Sequence, residues 1–405
     1  MSISKIRDFL GKFQFINIFH YSAMACYYPF IVAFLTKRDY SSTQIGLILT
    51  INSIIAIIFQ PLWGIICDKV RSVRKVYIAI AIIVSCTVPF ITVIHNFYFH
   101  LIYIPFCIIL FYCSFNTMLD AWIVQGVKSL PGKTYGSIRL WGSAGYMVIV
   151  SIMGLVSDAF GVQTIFYFFT FFMLINAIIA FSIREEGVPE IKPIEEGEKP
   201  KKPFKELIKN YQYVSFIICM FVLHLPLTLK NGFYTQRLYL AGGNDTIFGF
   251  CQSAGAFVEI PIFLLTSKLL NKFKAQHLLI FSMLCYLTNY LIISFPIPPW
   301  SFILCNCING MGYGVFMVAS LVYIDSLSPP EFKTSALTIA TGIYGGASGI
   351  IGNFLSGYII DAIGIIKSFF FGTAFVAFAI VFFIVLLAIG NKKQNNDSAT
   401  LGETL

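Results

Sequence analysis

Long apolar runs follow one another along nearly the whole chain, and short groups of glycine, proline and charged residues separate them. Twelve of these runs reach the length of about 20 residues that a helix needs to cross a bilayer. The predicted spans cover residues 13–35, 43–67, 76–95, 98–124, 136–158, 162–183, 212–236, 246–270, 276–296, 299–325, 334–360 and 365–390. The pattern therefore predicts an all-α integral membrane protein with twelve transmembrane helices.

One connection differs from all the others in length and composition. Residues 184–210 contain seven basic residues, seven acidic residues and four prolines, which is typical of a flexible linker that cannot form a packed core. This linker divides the predicted spans six and six. We therefore expect an N-terminal six-helix bundle at 1–183, a linker at 184–210, and a C-terminal six-helix bundle with a short tail at 211–405.

A weak internal repeat indicates that the two halves are related. The second predicted span ends on Gln60-Pro61-Leu62-Trp63, and the eighth ends near Glu259-Ile260-Pro261. Both are proline-bearing helices that lead into a basic connection. Two parallel six-helix halves are typical of transporters, which bind their solute at the midplane between the halves. Chance similarity among apolar helices is the alternative.

Lysine and arginine are distributed very unequally between the two sides of the predicted membrane. Of the 28 basic residues, 22 fall on the side that holds both termini and the linker, four fall on the opposite side, and two lie within spans. Basic residues concentrate on the cytoplasmic side of membrane proteins. We therefore expect a protein of the bacterial inner membrane with both termini in the cytoplasm.

The composition excludes several classes of protein. Apolar residues make up 57% of the chain and charged residues only 12%, about half the charged fraction of soluble domains. A soluble enzyme and a disordered chain are therefore excluded. The net charge of +9 lies in short connections and not on one face, so we expect no binding of nucleic acid. The sequence contains no nucleotide-binding loop and no His-Glu-x-x-His motif, and we expect no cofactor and no metal.

Four charged residues remain deep within predicted spans, where a charge is costly and usually functional. They are Asp120, Arg139, Lys230 and Glu259. Two are acidic and two are basic, so the set can be neutral as a whole.

Arg139 shares one helix face with Ser143 and Tyr146, and Asp120 shares one with Asn116. Consecutive spans are antiparallel neighbours, so Asp120 and Arg139 can meet. An arginine fork beside a carboxylate, a hydroxyl and an aromatic ring suits a polyhydroxylated ligand, because it offers bidentate hydrogen bonds and an apolar surface. We expect these residues to bind a solute. The alternative is a structural ion pair that fixes two helices.

Glu259 lies in the eighth predicted span and Lys230 in the seventh. A carboxylate takes up a proton more readily in a medium of low dielectric constant than in water. Glu259 is therefore the best candidate for a proton carrier, and the positive charge of Lys230 would oppose its protonation. A buried Glu–Lys pair without a role in transport is an equal alternative.

The connection after the second span resembles a known family signature. Residues 64–75 read Gly-Ile-Ile-Cys-Asp-Lys-Val-Arg-Ser-Val-Arg-Lys, which resembles the loop motif of the major facilitator superfamily. The resemblance implies the major facilitator fold of two six-helix bundles and transport by alternating access. It also implies a conformational gate in which Gly64 allows close approach to the eleventh span and Asp68 interacts with a helix terminus and with basic residues such as Lys69 and Arg74.

Within that superfamily the chain resembles the oligosaccharide:proton symporters of the lactose permease type. The resemblance is carried by residues 60–64, 120–123 and 135–143. It implies that Asp120 and Arg139 bind substrate, that Ser143 occupies the position of a substrate-protected cysteine, and that Tyr146 replaces a sugar-stacking tryptophan.

The second half departs from this group. The positions that carry the proton-coupling residues of that group are occupied here by Ala256, Asn289, Asn309 and Gly312. The segment Glu259-Ile260-Pro261 instead resembles the phenylpropionate permease-like branch. We therefore expect a monomeric secondary transporter of a small polar solute, preferably a sugar or sugar-like compound, with proton symport through Glu259. The alternatives are an uncoupled facilitator, a carrier of nucleosides or small aromatic acids, and a non-transporting membrane receptor.

Overall fold

The structure is a computed structural model that describes residues 3–70, 72–111, 115, 118–120, 122–123, 135–183, 207, 209–329 and 332–402. Nearly all of these residues are helical. Most of the predicted linker and residue Asn116 lie outside the described part of the chain.

The described part of the N-terminal half contains seven α-helices, and a short 3-10 helix, Val88–Thr92, follows the fourth of them. The α-helices are α1 (Ile3–Tyr27), α2 (Phe30–Thr36), α3 (Ser42–Val70), α4 (Val73–Thr87), α5 (Phe97–Leu110), α6 (Tyr135–Phe160) and α7 (Thr164–Ser182). The first predicted span is divided into α1 and α2 at Pro29, which stands at the N-cap of α2. A proline cannot donate the hydrogen bond that would continue the helix.

The described part of the C-terminal half also consists of seven helices. They are α8 (Tyr211–Leu240), α9 (Asp245–Leu269), α10 (Ala275–Ser294), α11 (Ser301–Leu327), α12 (Lys333–Thr341), α13 (Ser348–Ile363) and α14 (Ile365–Gly402). A π-helical turn, Gly342–Ala347, joins α12 to α13 without a break. The eleventh predicted span therefore consists of three helical segments.

The observed helices agree with the predicted spans. Ten described helical segments are long and apolar enough to cross a membrane. The short apolar helix α5 and the composite α12–α13 helix occupy the two remaining predicted positions, so the structure is consistent with twelve spans. The prediction of an all-α membrane protein is confirmed. The last helix continues twelve residues past the predicted end at residue 390, because its polar residues can extend a helix beyond the apolar layer.

The helices pack in the same pattern in both halves. In the N-terminal half α1 packs against α6 and α7, and in the C-terminal half α8 packs against α13 and α14. Likewise, α3 packs against α5 as α9 packs against α11, and α4 packs against α7 as α10 packs against α14. The second half therefore repeats the helix pairing of the first.

Two arginine contacts show the same repetition. Arg38 donates to two carbonyl oxygens just after α4, at 2.5 and 2.7 Å. Arg237 donates to two carbonyl oxygens at the end of α10, at 2.9 and 2.6 Å. Each arginine therefore satisfies carbonyl groups that a helix terminus leaves without a partner within the helix.

Two pairs of helices make the most extensive contacts between the halves, namely α6 with α9 and α3 with α13. We call the end of the bundles where α7 ends and α8 begins the linker face, and the opposite end the far face. At the far face a Cβ atom on Gly154 would collide with the backbone of α9, and one on Gly357 would collide with the backbone of α3. The glycines therefore allow the two halves to touch through their backbones.

Gly154→Ala and Gly357→Ala are each expected to lower the free energy of unfolding by about 1–3 kcal/mol, because the new methyl group meets backbone that cannot rotate away. Thermal unfolding in detergent measures the effect. Gly342→Ala is the matched control, since nothing lies within 4 Å of a Cβ placed there and alanine favours helix. If both interface variants melted at the wild-type temperature, the halves would not be packed this closely.

Candidate functional site

Arg139 of α6 is held against an aromatic ring of α1. Its guanidinium carbon lies 3.8 Å from the centre of the Tyr21 ring, a distance typical of a cation–π contact. Its Nη1 atom donates to Ser143 Oγ at 3.4 Å. A side chain at Gly142 would collide with the Tyr21 ring, so this glycine allows the ring to lie close against the helix. The arginine is therefore positioned by its contacts with Tyr21 and Ser143.

The remaining predicted binding residues of this region are placed only in part. Asp120 is half-buried, and Asn116 lies outside the described residues. The contact between Arg139 and Ser143 agrees with the shared helix face expected from their spacing. The pairing of Asp120 with Arg139, and the binding of a solute by either of them, stay predictions.

Tyr146 and Glu259 approach each other from opposite halves. Glu259 of α9 interacts electrostatically with Tyr146 of α6, and also with Lys230 of α8 and Tyr286 of α10. Tyr146 and Glu259 each lie 14 positions from the far-face end of their helix, which corresponds to about 21 Å along the axis. The carboxyl group therefore lies near the middle of the membrane, between the two halves.

Lys230 has a direct hydrogen-bond partner that the sequence analysis did not name. Its side chain is 5% exposed, its Nζ donates to Asn306 Oδ1 at 3.2 Å, and it lies 5.2 Å from the centre of the Tyr234 ring. Asn306 in turn donates to the Cys251 carbonyl oxygen at 2.5 Å. Among the described residues no ion pair joins Lys230 to Glu259. The lysine is therefore held by an amide, and the glutamate is near it without direct contact.

Two positions that carry proton-coupling residues in the resembled group serve here in helix packing. Asn289 Nδ2 donates to the Cys305 carbonyl oxygen at 2.5 Å and so joins α10 to α11. The carbonyl oxygen of Gly312 accepts a hydrogen bond from Ser282 Oγ at 2.7 Å. A side chain at that glycine would press on α10.

The predicted gate motif lies on the linker face. Lys69 is exposed at the end of α3. Arg74 of α4 donates to the carbonyl oxygens of Ala180 and Phe181 at 3.0 and 2.6 Å, so it caps the end of α7 within the N-terminal half. Gly64 and Asp68 belong to α3, but the surroundings of both residues lie outside the described structure. The gating role of this motif stays a prediction.

The structure reveals a second polar cluster, on the far face, that the sequence analysis missed. Lys37 Nζ lies 2.5 Å from Asp245 Oδ2, and this ion pair joins the end of α2 to the start of α9. Asp245 is fully buried, and it also accepts hydrogen bonds from Ser157 and Tyr239. Donors from both halves therefore surround one carboxylate.

Two more aspartates cap helices of the opposite half. Asp158, near the end of α6, accepts hydrogen bonds from the first two amides of α9 at 3.1 and 2.9 Å. Asp361, near the end of α13, accepts hydrogen bonds from the first two amides of α3 at 3.0 and 2.7 Å. The far face is therefore closed by contacts between the halves.

A signal for these contacts is present in the sequence. Residues 154–161 read Gly-Leu-Val-Ser-Asp-Ala-Phe-Gly, and residues 357–364, 203 positions later, read Gly-Tyr-Ile-Ile-Asp-Ala-Ile-Gly. Residues 42–46 read Ser-Thr-Gln-Ile-Gly, and residues 245–249, again 203 positions later, read Asp-Thr-Ile-Phe-Gly. A comparison of the chain with itself at this offset would have found both capping residues and both capped helix starts.

The profile of the family described as "MFS_1 like family" matches residues 11–371. The chain belongs to this family. Membership confirms the resemblance to the major facilitator superfamily that the loop after α3 indicated. The chain is accordingly a membrane-spanning transporter protein, and it is not an enzyme.

Individual relatives agree with this assignment. The chain is 25% identical over 359 residues to "Uncharacterized transporter YwbF" of Bacillus subtilis (strain 168), covering 85% of this chain and 88% of that one. It is 23% identical over 361 residues to a maltose permease of Geobacillus stearothermophilus, covering 88% and 89%. A crystal structure of the nucleoside transporter NupG superposes with a TM-score of 0.76 at 16% identity, covering 94% of this chain and 98% of that one. This likeness shows the fold alone, and it agrees with the expected major facilitator fold.

Proposed function

We propose that the protein is a secondary transporter that moves a small polar solute, preferably a sugar or sugar-like compound, by alternating access and proton symport. The observation that carries the proposal is the placement of Arg139. Its guanidinium group lies over the Tyr21 ring and donates to Ser143, on a helix that packs against the opposite half. Such an arrangement restrains the guanidinium group before a ligand arrives.

The geometry of Arg139 suits a ligand rich in hydroxyl groups. The guanidinium group lies over the Tyr21 ring and donates one hydrogen bond to Ser143. Its other N–H groups can donate two parallel hydrogen bonds to neighbouring hydroxyls of one molecule. A tyrosine ring adds an apolar surface against which the C–H face of a sugar packs. The similarity to a maltose permease supports the same class of solute.

The position of Glu259 supports coupling to protons. The carboxyl group lies at the depth of Tyr146, between the halves, and within the described residues it forms no ion pair with Lys230. A carboxyl group without a fixed ionic partner can gain and lose a proton as its surroundings alternate between water and protein. Its charge acts on both halves and can therefore bias their arrangement.

The distribution of basic residues supports a bacterial inner-membrane protein with both termini in the cytoplasm. The linker face is then cytoplasmic, and the far face is extracytoplasmic. We propose that the protein works as a monomer, in which the two bundles of one chain enclose the solute and no cofactor takes part. The domain limits 1–183, 184–210 and 211–405 belong to the same proposal.

A two-stage experiment tests the function. Purified protein is first screened with sugars, nucleosides and aromatic acids, and we expect a sugar to raise its melting temperature. The same sugar is then added outside weakly buffered proteoliposomes that contain an internal pH indicator and the protein. Symport should acidify the vesicle lumen and alkalinise the medium as the sugar enters. Uptake without a pH change would show a facilitator, and absence of uptake for every ligand found would favour a receptor.

A further inference from the structure

We propose that Asp158 and Asp361 form a two-part latch that holds the far face closed and thereby sets which face of the transporter is open. The inference rests on the alternating access proposed above. The two carboxylates belong to opposite halves, and each binds the start of a helix in the other half. These hydrogen bonds exist only while the halves are together at this face, so the two residues oppose opening.

The chemistry of each cap is well matched to a reversible contact. The first amides of a helix have no partner within the helix, and the helix dipole favours a negative charge beside them. Each carboxylate uses one oxygen for the first amide and the other oxygen for the second amide. The Thr43 hydroxyl adds a third donor to Asp361 at 2.6 Å. Both aspartates are exposed at the surface, so water can replace the lost bonds when the halves separate.

Glycines let the latch close. A Cβ atom on Gly46 would lie 2.6 Å from the carbonyl oxygen of Asn353, and one on Gly249 would lie 2.6 Å from that of Val150. Gly46 and Gly249 follow the capped helix starts by one turn, and they stand 203 positions apart. Because no side chain separates the backbones there, a short aspartate on one helix can reach the amides of the next.

The repetition argues that the contact is a functional unit. Capping aspartate, capped helix start and contact glycine all recur at the same offset of 203 residues. Elsewhere the halves have diverged, since the positions that match Lys230 and Glu259 at this offset are the uncharged Tyr27 and Ala56. Those two charges of the membrane interior are not repeated, whereas the far-face contacts are.

The Lys37–Asp245 pair makes one part of the latch different from the other. Asp245 occupies the first position of α9, where α3 has Ser42. Its negative charge lies beside Asp158, which binds its amide, and the ammonium group of Lys37 offsets the repulsion between the two carboxylates. We therefore assign the latch function to the two capping aspartates, and to Lys37 the role of keeping two acidic groups together.

The test measures the balance between the two faces directly. Spin labels are attached through p-acetylphenylalanine, which spares the ten native cysteines. One pair replaces the exposed residues Gln163 and Lys367 on the far face, and the other replaces Lys75 and Lys272 on the linker face. Pulsed electron-spin resonance gives both distance distributions without a ligand. Asp158→Asn and Asp361→Asn each leave one acceptor oxygen instead of two and remove the charge.

We expect each single variant to shift the equilibrium toward an open far face by about fivefold. The double variant should shift it by about 25-fold, since the two caps share no partner. Distances on the far face should lengthen while those on the linker face shorten. Asp39→Asn is the matched control, because Asp39 is an exposed far-face aspartate whose positive φ of 60° asparagine tolerates. It should leave both distributions unchanged.

Two results would overturn the latch. The first is a double variant whose distance distributions on both faces are unchanged. The second is a double variant whose distances lengthen on both faces, which indicates simple destabilisation. If the double variant does not fold, Thr43→Val removes one donor to Asp361 and should shift the balance in the same direction by about twofold; no shift would then reject the proposal. The measurement needs no solute, so failure of every transport assay would reject the proposed function and leave the latch intact.

Discussion

Replacement of Arg139 by lysine is expected to weaken solute binding by about 10- to 100-fold, the range that the loss of a bidentate charged hydrogen bond produces. Lysine keeps the positive charge, but its ammonium group is neither planar nor forked. It cannot offer the planar fork of the guanidinium group, which in Arg139 lies over the Tyr21 ring and donates to Ser143. Isothermal titration with the sugar found in the thermal screen measures the affinity.

A matched variant of a second arginine, Arg38, distinguishes a role of Arg139 in binding from a role in stability. Arg38→Lys also changes a guanidinium that holds two acceptors, but those acceptors are backbone carbonyl oxygens after α4. We expect Arg38→Lys to lower the melting temperature and to leave affinity unchanged. Arg139→Lys should weaken affinity and leave the melting temperature without solute unchanged. An Arg139→Lys protein with wild-type affinity and a lower melting temperature would assign the arginine to helix packing.

Glu259→Gln is expected to abolish accumulation of solute against a gradient while exchange of solute continues. Glutamine has the shape of the protonated side chain but cannot release a proton, so the step that couples the two halves to the proton gradient is lost. In proteoliposomes an imposed pH gradient should raise wild-type uptake well above equilibrium, about tenfold for each pH unit under tight one-to-one coupling. The variant should only equilibrate the solute, and its solute-dependent pH change should disappear.

The matched control for this variant is Asp325→Asn, which also neutralises a carboxylate in the C-terminal half. Asp325 pairs with Lys333 on the linker face, and both side chains are nearly half exposed, so the pair contributes little. Accumulation by Asp325→Asn should match the wild type. Full proton-driven accumulation by Glu259→Gln would exclude Glu259 as the coupling residue and would assign the coupling to another group.

The spans were predictable because the apolar layer of a membrane imposes a minimum length on each helix. The eighth span was predicted at 246–270 and α9 covers Asp245–Leu269. The break at Pro29 and the π-helical turn at Gly342–Ala347 were not predicted. Both lie inside predicted spans, and the mean hydropathy that defined those spans does not depend on the local helical geometry.

The candidate site was predictable only where its contacts are local. The spacing of one helical turn placed Arg139 beside Ser143, whereas the ring beneath the arginine comes from Tyr21, more than 100 residues earlier. Lys230 was considered only in relation to the charge of Glu259, whereas its ammonium group donates a hydrogen bond to Asn306. Opposite charge suggested the relation to Glu259, but the packing of α8 against α11 decides which polar group the buried ammonium reaches.

The matched caps of the far face also bear on how the chain assembles. Each half contributes one capping aspartate and one capped helix start, so each half is both donor and acceptor of the same kind of contact. Subunits of a two-fold symmetric homodimer meet in this way, through a self-complementary patch. The contacts that orient one bundle on the other therefore belong to the bundles themselves. The covalent connection between the bundles keeps them at high local concentration.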